Sequence, residues 1–257
     1  MSTPPNADLA CSLALVAIPA AAALAYGARV TLRGRARSER VEREGHSALL
    51  AKGVMEMFHW AIAPAGAACV RLGISANAVT FASLGLGIAA GVAVAAGHLG
   101  VGALLAGLCS VGDALDGVVA RASKHASDAG EVLDAAVDRY TELALLGGLA
   151  VYLRDALGLL ILTLLAICAS FMVSYSTAKA EALNVTPPRG SMRRSERAVC
   201  LVVGTALVPA AAALGLRFHD APIVVALLIV AVIGNVSAIR RFAAVARAVD
   251  AKGAPAE

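Results

Sequence analysis

Long apolar runs separated by short polar stretches dominate the chain. A helix needs about 20 mostly apolar residues to cross the hydrocarbon core of a bilayer. Seven runs come close to that length, and each predicts a membrane-spanning helix: 9–28, 77–97, 101–120, 131–153, 156–180, 198–216 and 221–239. The pattern therefore predicts an all-α membrane protein.

The first of these runs could also be a secretory signal peptide. The segment before it, MSTPPNAD, carries no Lys or Arg, whereas secretory signals normally begin with basic residues. We therefore interpret 1–28 as an extra N-terminal membrane anchor. The other six spans form a helix-bundle domain over 73–248, followed by a tail over 249–257.

Between the first two spans lies a region that is not expected to cross the membrane. Arg alternates with Glu over 29–48, which predicts a basic linker held near anionic lipid. Segment 49–72 places apolar residues at helical spacing on one face and polar residues, including Glu56, on the other. This predicts an amphipathic helix in the membrane interface, with Trp60 at headgroup level and an interruption at Pro64. Its apolar face comprises Leu50, Val54, Met57, Phe58 and Ala61.

Composition supports the membrane assignment. Apolar residues make up 59% of the chain and charged residues 16%, where soluble domains average about 25% charged residues. The mean hydropathy is +0.77. A water-soluble monomer of this composition would expose very large apolar patches. These values exclude a soluble globular domain, a disordered chain and a disulfide scaffold.

Basic residues predict the orientation of the chain. With the stretches 29–76, 121–130, 181–197 and the C-terminus on one side, and with the basic residues just inside the helix ends added, 20 of the 22 Lys and Arg residues fall on that side. The basic side of a membrane protein is normally cytoplasmic. We therefore expect a multi-pass protein of a bacterial cytoplasmic membrane, with its active site facing the cytoplasm.

Aspartates are concentrated in two of the predicted spans. Of nine Asp residues, five lie between positions 113 and 138, although a carboxylate inside a membrane helix is costly and usually functional. Asp113 and Asp116 share one helix face, as do Asp134 and Asp138 on the next helix. Facing each other near the cytoplasmic surface, they predict a site for Mg²⁺ or Mn²⁺. Space for two ions suits phosphoryl transfer. The structural alternative for the aspartates is a polar patch that joins two helices, and the functional alternative is an ion-coupled transporter.

The full sequence around these aspartates resembles a known signature. It reads Asp113-Ala-Leu-Asp116-Gly117-Val-Val-Ala120-Arg121, eight residues, then Gly130-Glu-Val-Leu-Asp134-Ala-Ala-Val-Asp138. This resembles the pattern DxxDGxxAR(x)8GxxxDxxxD of the CDP-alcohol phosphotransferases at every fixed position. The resemblance implies that the four aspartates hold two divalent cations, Mg²⁺ or Mn²⁺, with Asp138 as the general base. It also implies CDP-diacylglycerol as donor, release of CMP, contact with membrane lipid and a homodimer, with no nucleic-acid partner.

The resemblance extends to the residues that would bind the nucleotide. Small residues in the signature allow CDP to approach the backbone, and Arg121 can pair with a phosphate. Upstream, Ser75-Ala76-Asn77-Ala78-Val79-Thr80 resembles the start of the family's first core helix, with Ala76 where proline is usual; a plain helix cap is the alternative for Asn77 and Thr80. The implied CDP-binding residues are Asn77, Thr80, Asp116, Gly117, Ala120, Arg121, Ser127 and Gly130.

Two further segments bear on the identity of the acceptor alcohol. The segments SYSTAKAEAL and RRSERAV resemble those of phosphatidylinositol-phosphate synthases, and a basic cluster there would suit a phosphorylated acceptor. Two positions depart from that branch: Thr177 replaces a lysine and Val245 a basic residue. Inositol phosphate is favoured, while free inositol, glycerol phosphate and another polyol stay open, as does an ordinary positive loop. The implied acceptor-binding residues are Lys179, Arg194, Arg197 and Arg241.

Overall fold

Helices make up nearly all of the protein. The computed structural model describes residues 5–34, 52–123, 127–186 and 190–253, and within these residues it contains eight α-helices and no β-strand. The predicted all-α fold class is confirmed. Most of the basic linker predicted over 29–48 lies outside the described residues. The helices are α1 Pro5–Arg33, α2 Lys52–Arg71, α3 Ala76–Ala95, α4 Leu99–Ala122, α5 Asp128–Tyr152, α6 Leu157–Ala182, α7 Arg194–Ala213 and α8 Ala221–Gly253.

Six of the described helices, namely α1, α3, α4, α6, α7 and α8, are long and apolar enough to cross a membrane. Helix α5, predicted as a further span, has 25 residues, about 37 Å at 1.5 Å per residue. That length exceeds the roughly 30 Å of a hydrocarbon core. Its many charged residues lower its hydropathy, but it packs along α3 and against α6 inside the bundle. Helices α3 to α8 thus form the predicted six-helix bundle.

Small residues allow α3 and α5 to run side by side at very short range. A Cβ atom on Gly148 would lie 2.3 Å from the carbonyl oxygen of Gly91, and one on Gly91 would lie 2.2 Å from that of Ala144. Close backbone approach through small residues is a common way for membrane helices to associate. This contact fixes the distance between the helices that carry Thr80 and the aspartates of α5.

The hydrophobic core lies inside the bundle and receives residues from all six helices α3 to α8. Its fully buried members include Leu146, Leu149, Leu201 and Leu227. Many other large apolar side chains point outward, which is favourable in lipid and unfavourable in water. Those on α6 and α7 include Ile161, Leu164, Leu165, Phe171, Met172, Val199, Val203 and Leu207.

Helix α2 differs from its prediction in two respects. It continues through Pro64 to Arg71, so the predicted interruption is wrong. Ile62 and Gly66, on either side of the proline, are both buried, and Gly66 lies against Val118 of α4; this packing holds the helix together although proline removes one backbone hydrogen bond. Glu56, predicted on the polar face, is only 6% exposed.

Helix α8 extends beyond the other helices at one end of the bundle. We call the end where α4 finishes and α5 begins the site end. Helix α8 runs to that end and has 33 residues, about 50 Å. It continues twelve residues beyond Arg241, and the ammonium of Lys252 donates to the carbonyl of Asn184 just after α6. Helix α8 therefore extends well past the length that a bilayer core requires.

Replacing Gly148 with alanine tests the contact between α3 and α5. The added methyl would overlap the Gly91 carbonyl, and overpacking of this kind typically costs about 1–3 kcal/mol. We expect Gly148→Ala to lower the midpoint of thermal unfolding in detergent. Gly147→Ala is the matched control, because a Cβ atom there meets nothing within 4 Å. Equal midpoints for the two variants would contradict the described packing.

Candidate active site

The four aspartates of the signature lie on α4 and α5 near the site end. Asp113 and Asp116 are one turn apart on α4, and Asp134 and Asp138 are one turn apart on α5. Asp113, Asp116 and Asp134 each contribute a carboxylate oxygen to a group whose oxygens all lie within 4.8 Å of one another. The helix pair thus brings these side chains together, as the spacing predicts.

The chemistry of this group fits a divalent cation. Carboxylate oxygens are the donors that Mg²⁺ and Mn²⁺ prefer, and like charges this close repel one another. A cation between Asp113, Asp116 and Asp134 would remove that repulsion.

Thr80 on α3 orients one of these carboxylates. Its hydroxyl donates to Oδ2 of Asp116 at 2.7 Å, and both side chains are buried. The cap of α3 is Ser75, whose Oγ accepts from the N–H of Ala78 at 3.2 Å. Thr80 is therefore not a helix cap, and it supports the carboxylate group from a third helix.

Arg194, the first residue of α7, lies between two of the aspartates. Its Nη1 donates to Oδ2 of Asp113, and its Nη2 lies 2.6 Å from Oδ1 of Asp138. Arg139 approaches the other oxygen of Asp138 at 3.6 Å and donates to Oγ of Ser174. Asp138 therefore lies where the acidic group meets a basic region.

A buried ion pair lies behind this boundary. Arg197 is 0% exposed, and its Nε and Nη2 donate to the two carboxylate oxygens of Glu142 at 2.6 and 2.9 Å. Its Nη1 donates to the carbonyl of Met192 at 2.7 Å. Removing one partner of such a pair leaves an uncompensated buried charge. This typically lowers the free energy of unfolding by about 3–5 kcal/mol.

Glu142 and Arg139 are not among the site residues predicted from the sequence. A usable signal was present, because Glu142 follows Asp138 by one turn on the same helix face. A carboxylate inside a predicted span requires a partner. The identity of that partner, Arg197 on α7, depends on the tertiary fold.

The predicted nucleotide-binding residues lie on or next to α3, α4 and α5, at or near the site end. Asn77 is exposed at the start of α3, Arg121 is exposed at the end of α4, and Ser127 directly precedes α5. The Ser127 hydroxyl accepts from the N–H of Gly130 at 3.1 Å, so Ser127 also caps α5. The remaining members of the set are Thr80, Asp116, Gly117 and Ala120, on α3 and α4.

The predicted acceptor-binding residues do not form one exposed cluster. Lys179 is exposed on α6, whereas Arg194 pairs with aspartates and Arg197 is enclosed. Arg241 is 7% exposed and donates to Oγ1 of Thr177 at 3.3 Å and to the carbonyl of Ser191 at 3.4 Å. Of the four predicted acceptor-binding residues, one is therefore exposed, one is paired with aspartates and two are buried.

A cavity opens beside the site, between α3, α4, α5 and α7. Arg194, Glu142 and Thr141 contribute its polar lining, and Leu201 and Val202 its apolar lining. The cavity connects the charged residues of the site with the interior of the bundle.

Comparisons with known proteins agree with this geometry. A family model described as CDP-alcohol phosphatidyltransferase matches residues 73–236. The phosphatidylinositol phosphate synthase of Corynebacterium glutamicum is 35% identical over 153 residues, which cover 57% of this chain and 69% of that protein. That of Mycobacterium marinum is 35% identical over 150 residues, covering 55% of this chain and 62% of that protein.

Solved structures show the same fold. The phosphatidylinositol phosphate synthase of Mycobacterium tuberculosis with CDP-DAG bound superposes with a TM-score of 0.64 and 25% identity, over 71% of this chain and 92% of that chain. A structure of the same protein in complex with manganese and citrate gives a TM-score of 0.64 and 25% identity, over 71% of this chain and 88% of that chain.

Thr80 offers a test of the metal assignment. Thr80→Val keeps the side-chain shape and removes the donor to Asp116, and losing an outer hydrogen bond of this kind typically weakens metal binding about 10–100-fold. We expect that loss in a Mn²⁺ titration followed by electron paramagnetic resonance. Thr80→Ser retains the hydroxyl and is the control. Unchanged Mn²⁺ affinity in Thr80→Val would show that Asp116 does not hold the ion through this arrangement.

Proposed function

Because the chain belongs to the CDP-alcohol phosphatidyltransferase family, we propose that it transfers a phosphatidyl group from CDP-diacylglycerol to inositol phosphate, releasing CMP. The observation that carries the proposal is the convergence of Asp113, Asp116 and Asp134 on two helices that both lie within the segment matched by the family model. Solved relatives bound to CDP-DAG and to manganese support it.

The carboxylates would hold two divalent cations, with Asp138 completing the set. When bound, the cations neutralise charge on the reacting phosphates. Thr80 fixes Asp116 through its hydrogen bond. The exposed guanidinium of Arg121 would pair with a CDP phosphate, and the small residues Gly117 and Ala120 would let the nucleotide lie against α4.

Asp138 would act as the general base. It would accept the proton of the acceptor hydroxyl, whose oxygen then forms a bond to the β-phosphorus of CDP-diacylglycerol. The bond from that phosphorus to the oxygen of CMP breaks, and CMP leaves with the electron pair. Arg194 and Arg139, beside the two oxygens of Asp138, would hold this carboxylate towards the acceptor.

Lys179 and Arg194 are the cations of the predicted set best placed for an acceptor phosphate. Lys179 is exposed, and Arg194 lines the cavity beside the site. The curated relatives favour inositol phosphate. Thr177 stands where the phosphatidylinositol-phosphate synthases carry a lysine, and its hydroxyl accepts from Arg241. Because one basic residue of that branch is therefore replaced, glycerol phosphate or another polyol is the competing acceptor.

The protein would lie in a bacterial cytoplasmic membrane as a homodimer, with the site end facing the cytoplasm. The strong bias of basic residues supports the orientation, and the bacterial origin of the relatives supports the membrane. The homodimer rests on family resemblance.

An acceptor screen with purified protein tests the proposed reaction. We expect CMP release from CDP-diacylglycerol with inositol phosphate, and slower release with inositol, glycerol phosphate or serine. Asp113→Asn removes a charged ligand worth several kcal/mol of transition-state stabilisation, so it should lower turnover about a thousandfold. Asp138→Asn should lower turnover about 10²–10⁴-fold, the usual contribution of a general base.

Substitutions of two basic residues distinguish the acceptor site from the CDP-diacylglycerol site in the same assay. Lys179→Ala should raise the KM for the acceptor roughly tenfold to a hundredfold, the value of one charge-assisted contact, and leave that for CDP-diacylglycerol unchanged. Arg121→Ala should do the reverse. Absence of CMP release with every acceptor would refute the proposed reaction, whereas preference for an uncharged polyol would refute only the inositol-phosphate assignment.

Labelling of single cysteines tests the orientation. In a chain whose native cysteines are replaced by alanine, Ser195→Cys should react with a membrane-impermeant maleimide only from the cytoplasmic side. His219→Cys, between α7 and α8 at the opposite end, should react only from outside. Both positions are exposed. Reaction of Ser195→Cys from outside would reverse the topology.

A further inference from the structure

Helix α1 lies outside the segment that the family model matches, yet it packs against α4 and α7 as well as α2. We propose that α1 is a positioning element of the active site, which fixes the spacing between α4, the helix of Asp113, and α7, the helix of Arg194. The proposal rests on the proposed function only in treating Asp113 and Arg194 as site residues.

The first contact is a helix cap supplied by a different helix. His98, at the cap position of α4, makes no side-chain cap hydrogen bond. The N–H of Val101, in the first turn of α4, instead donates to Oδ1 of Asp8 at 2.9 Å. Nδ1 of His98 lies 3.7 Å from Oδ2 of Asp8. A carboxylate at this position satisfies an otherwise unpaired N–H and interacts favourably with the helix dipole.

The backbones of α1 and α4 meet at the same level. A Cβ atom on Gly100 would lie 2.0 Å from the carbonyl oxygen of Asp8. A side chain at position 100 would therefore push the two helices apart. The absence of a side chain there allows Asp8 to reach the first turn of α4.

The second contact joins three helices. A Cβ atom on Gly107 of α4 would lie 2.7 Å from Cδ1 of Leu15 and 3.9 Å from Cγ1 of Val202 on α7. Leu15 thus enters a notch between α4 and α7 and packs against the hydrophobic core. Leu13, two residues earlier on α1, is 58% exposed, so the contact belongs to one face of α1.

The third contact holds the other end of α1. Tyr26 is buried, and its ring lies 5.5 Å from that of Trp60 on α2, centroid to centroid. Helix α1 is therefore attached near both of its ends and at Leu15. This arrangement exceeds what a membrane anchor requires.

The contact at Leu15 has a consequence for the site. Position 107 is six residues, or about 9 Å along the helix, from Asp113. At the site end Arg194 of α7 pairs directly with Asp113 of α4, and a cation bound to Asp113 would compete with that pair. The contacts of α1 use none of these residues, so they would keep α4 and α7 together when the cation is bound.

Spin-label distances test the proposal directly. Labels at Ala122→Cys on α4 and Ser195→Cys on α7, both exposed, report the spacing at the site end in the otherwise cysteine-free full-length chain. We expect Leu15→Ala and Gly107→Leu each to shift or broaden the distance distribution. The combination of Leu15→Ala with Gly107→Leu should lie closer to the parent chain than Gly107→Leu alone, because the smaller residue on α1 makes room for the larger one on α4. Leu13→Ala is the control on the exposed face.

Mn²⁺ affinity, measured at a temperature where each variant is folded, is the second measurement. Leu15→Ala and Asp8→Ala should weaken Mn²⁺ binding about 2–30-fold, the range over which residues without direct contact to a site change its affinity. Asp8→Asn keeps an oxygen acceptor for Val101 and should retain most of the affinity. Variants that lower only the unfolding temperature, with unchanged distances and Mn²⁺ affinity, would overturn the proposal and leave α1 as an anchor. Because the distances need neither metal nor acceptor, a failed acceptor screen would not change their meaning.

Discussion

Repulsion among four aspartates at one end of a helix bundle is the constraint that organises this protein. Like charges this close are tolerated only with compensation, and each neighbouring helix supplies a part of it. Helix α3 provides the hydroxyl of Thr80 to Asp116, and α7 provides Arg194 to Asp113 and Asp138. The remaining charge matches a divalent cation, and one solved relative was crystallised in complex with manganese.

Behind the aspartates, charge alternates in layers across the bundle. The acidic group meets Arg194 and Arg139, which in turn lie near Glu142, and Glu142 pairs with Arg197. Each layer compensates the next, so few of these side chains can change alone. The same order separates two classes of cation: Arg197 holds helices together, whereas Lys179 is exposed and accessible to a ligand.

Features set by local pattern could be predicted from the sequence, and features set by distant partners could not. Apolar runs and the spacing of the aspartates indicated the bundle and the carboxylate group, because helix length and helix face follow from periodicity. The burial of Glu56 and the continuation of α2 through Pro64 depend on packing against other helices. The same holds for the pair of Glu142 with Arg197 and for the cap that Asp8 supplies to α4, whose partners lie 55 and 93 positions apart in the chain.

The long extension of α8 beyond Arg241, tied to the end of α6 by Lys252, indicates that the site end reaches past the hydrocarbon layer. A site at that level would receive one substrate from the two-dimensional membrane and the other from the three-dimensional aqueous solution. A lipid-anchored donor arrives by lateral diffusion in a plane, and a polar acceptor arrives through the aqueous volume. The donor's effective concentration is then its mole fraction in the membrane, so lipid composition and solution composition would control the rate independently.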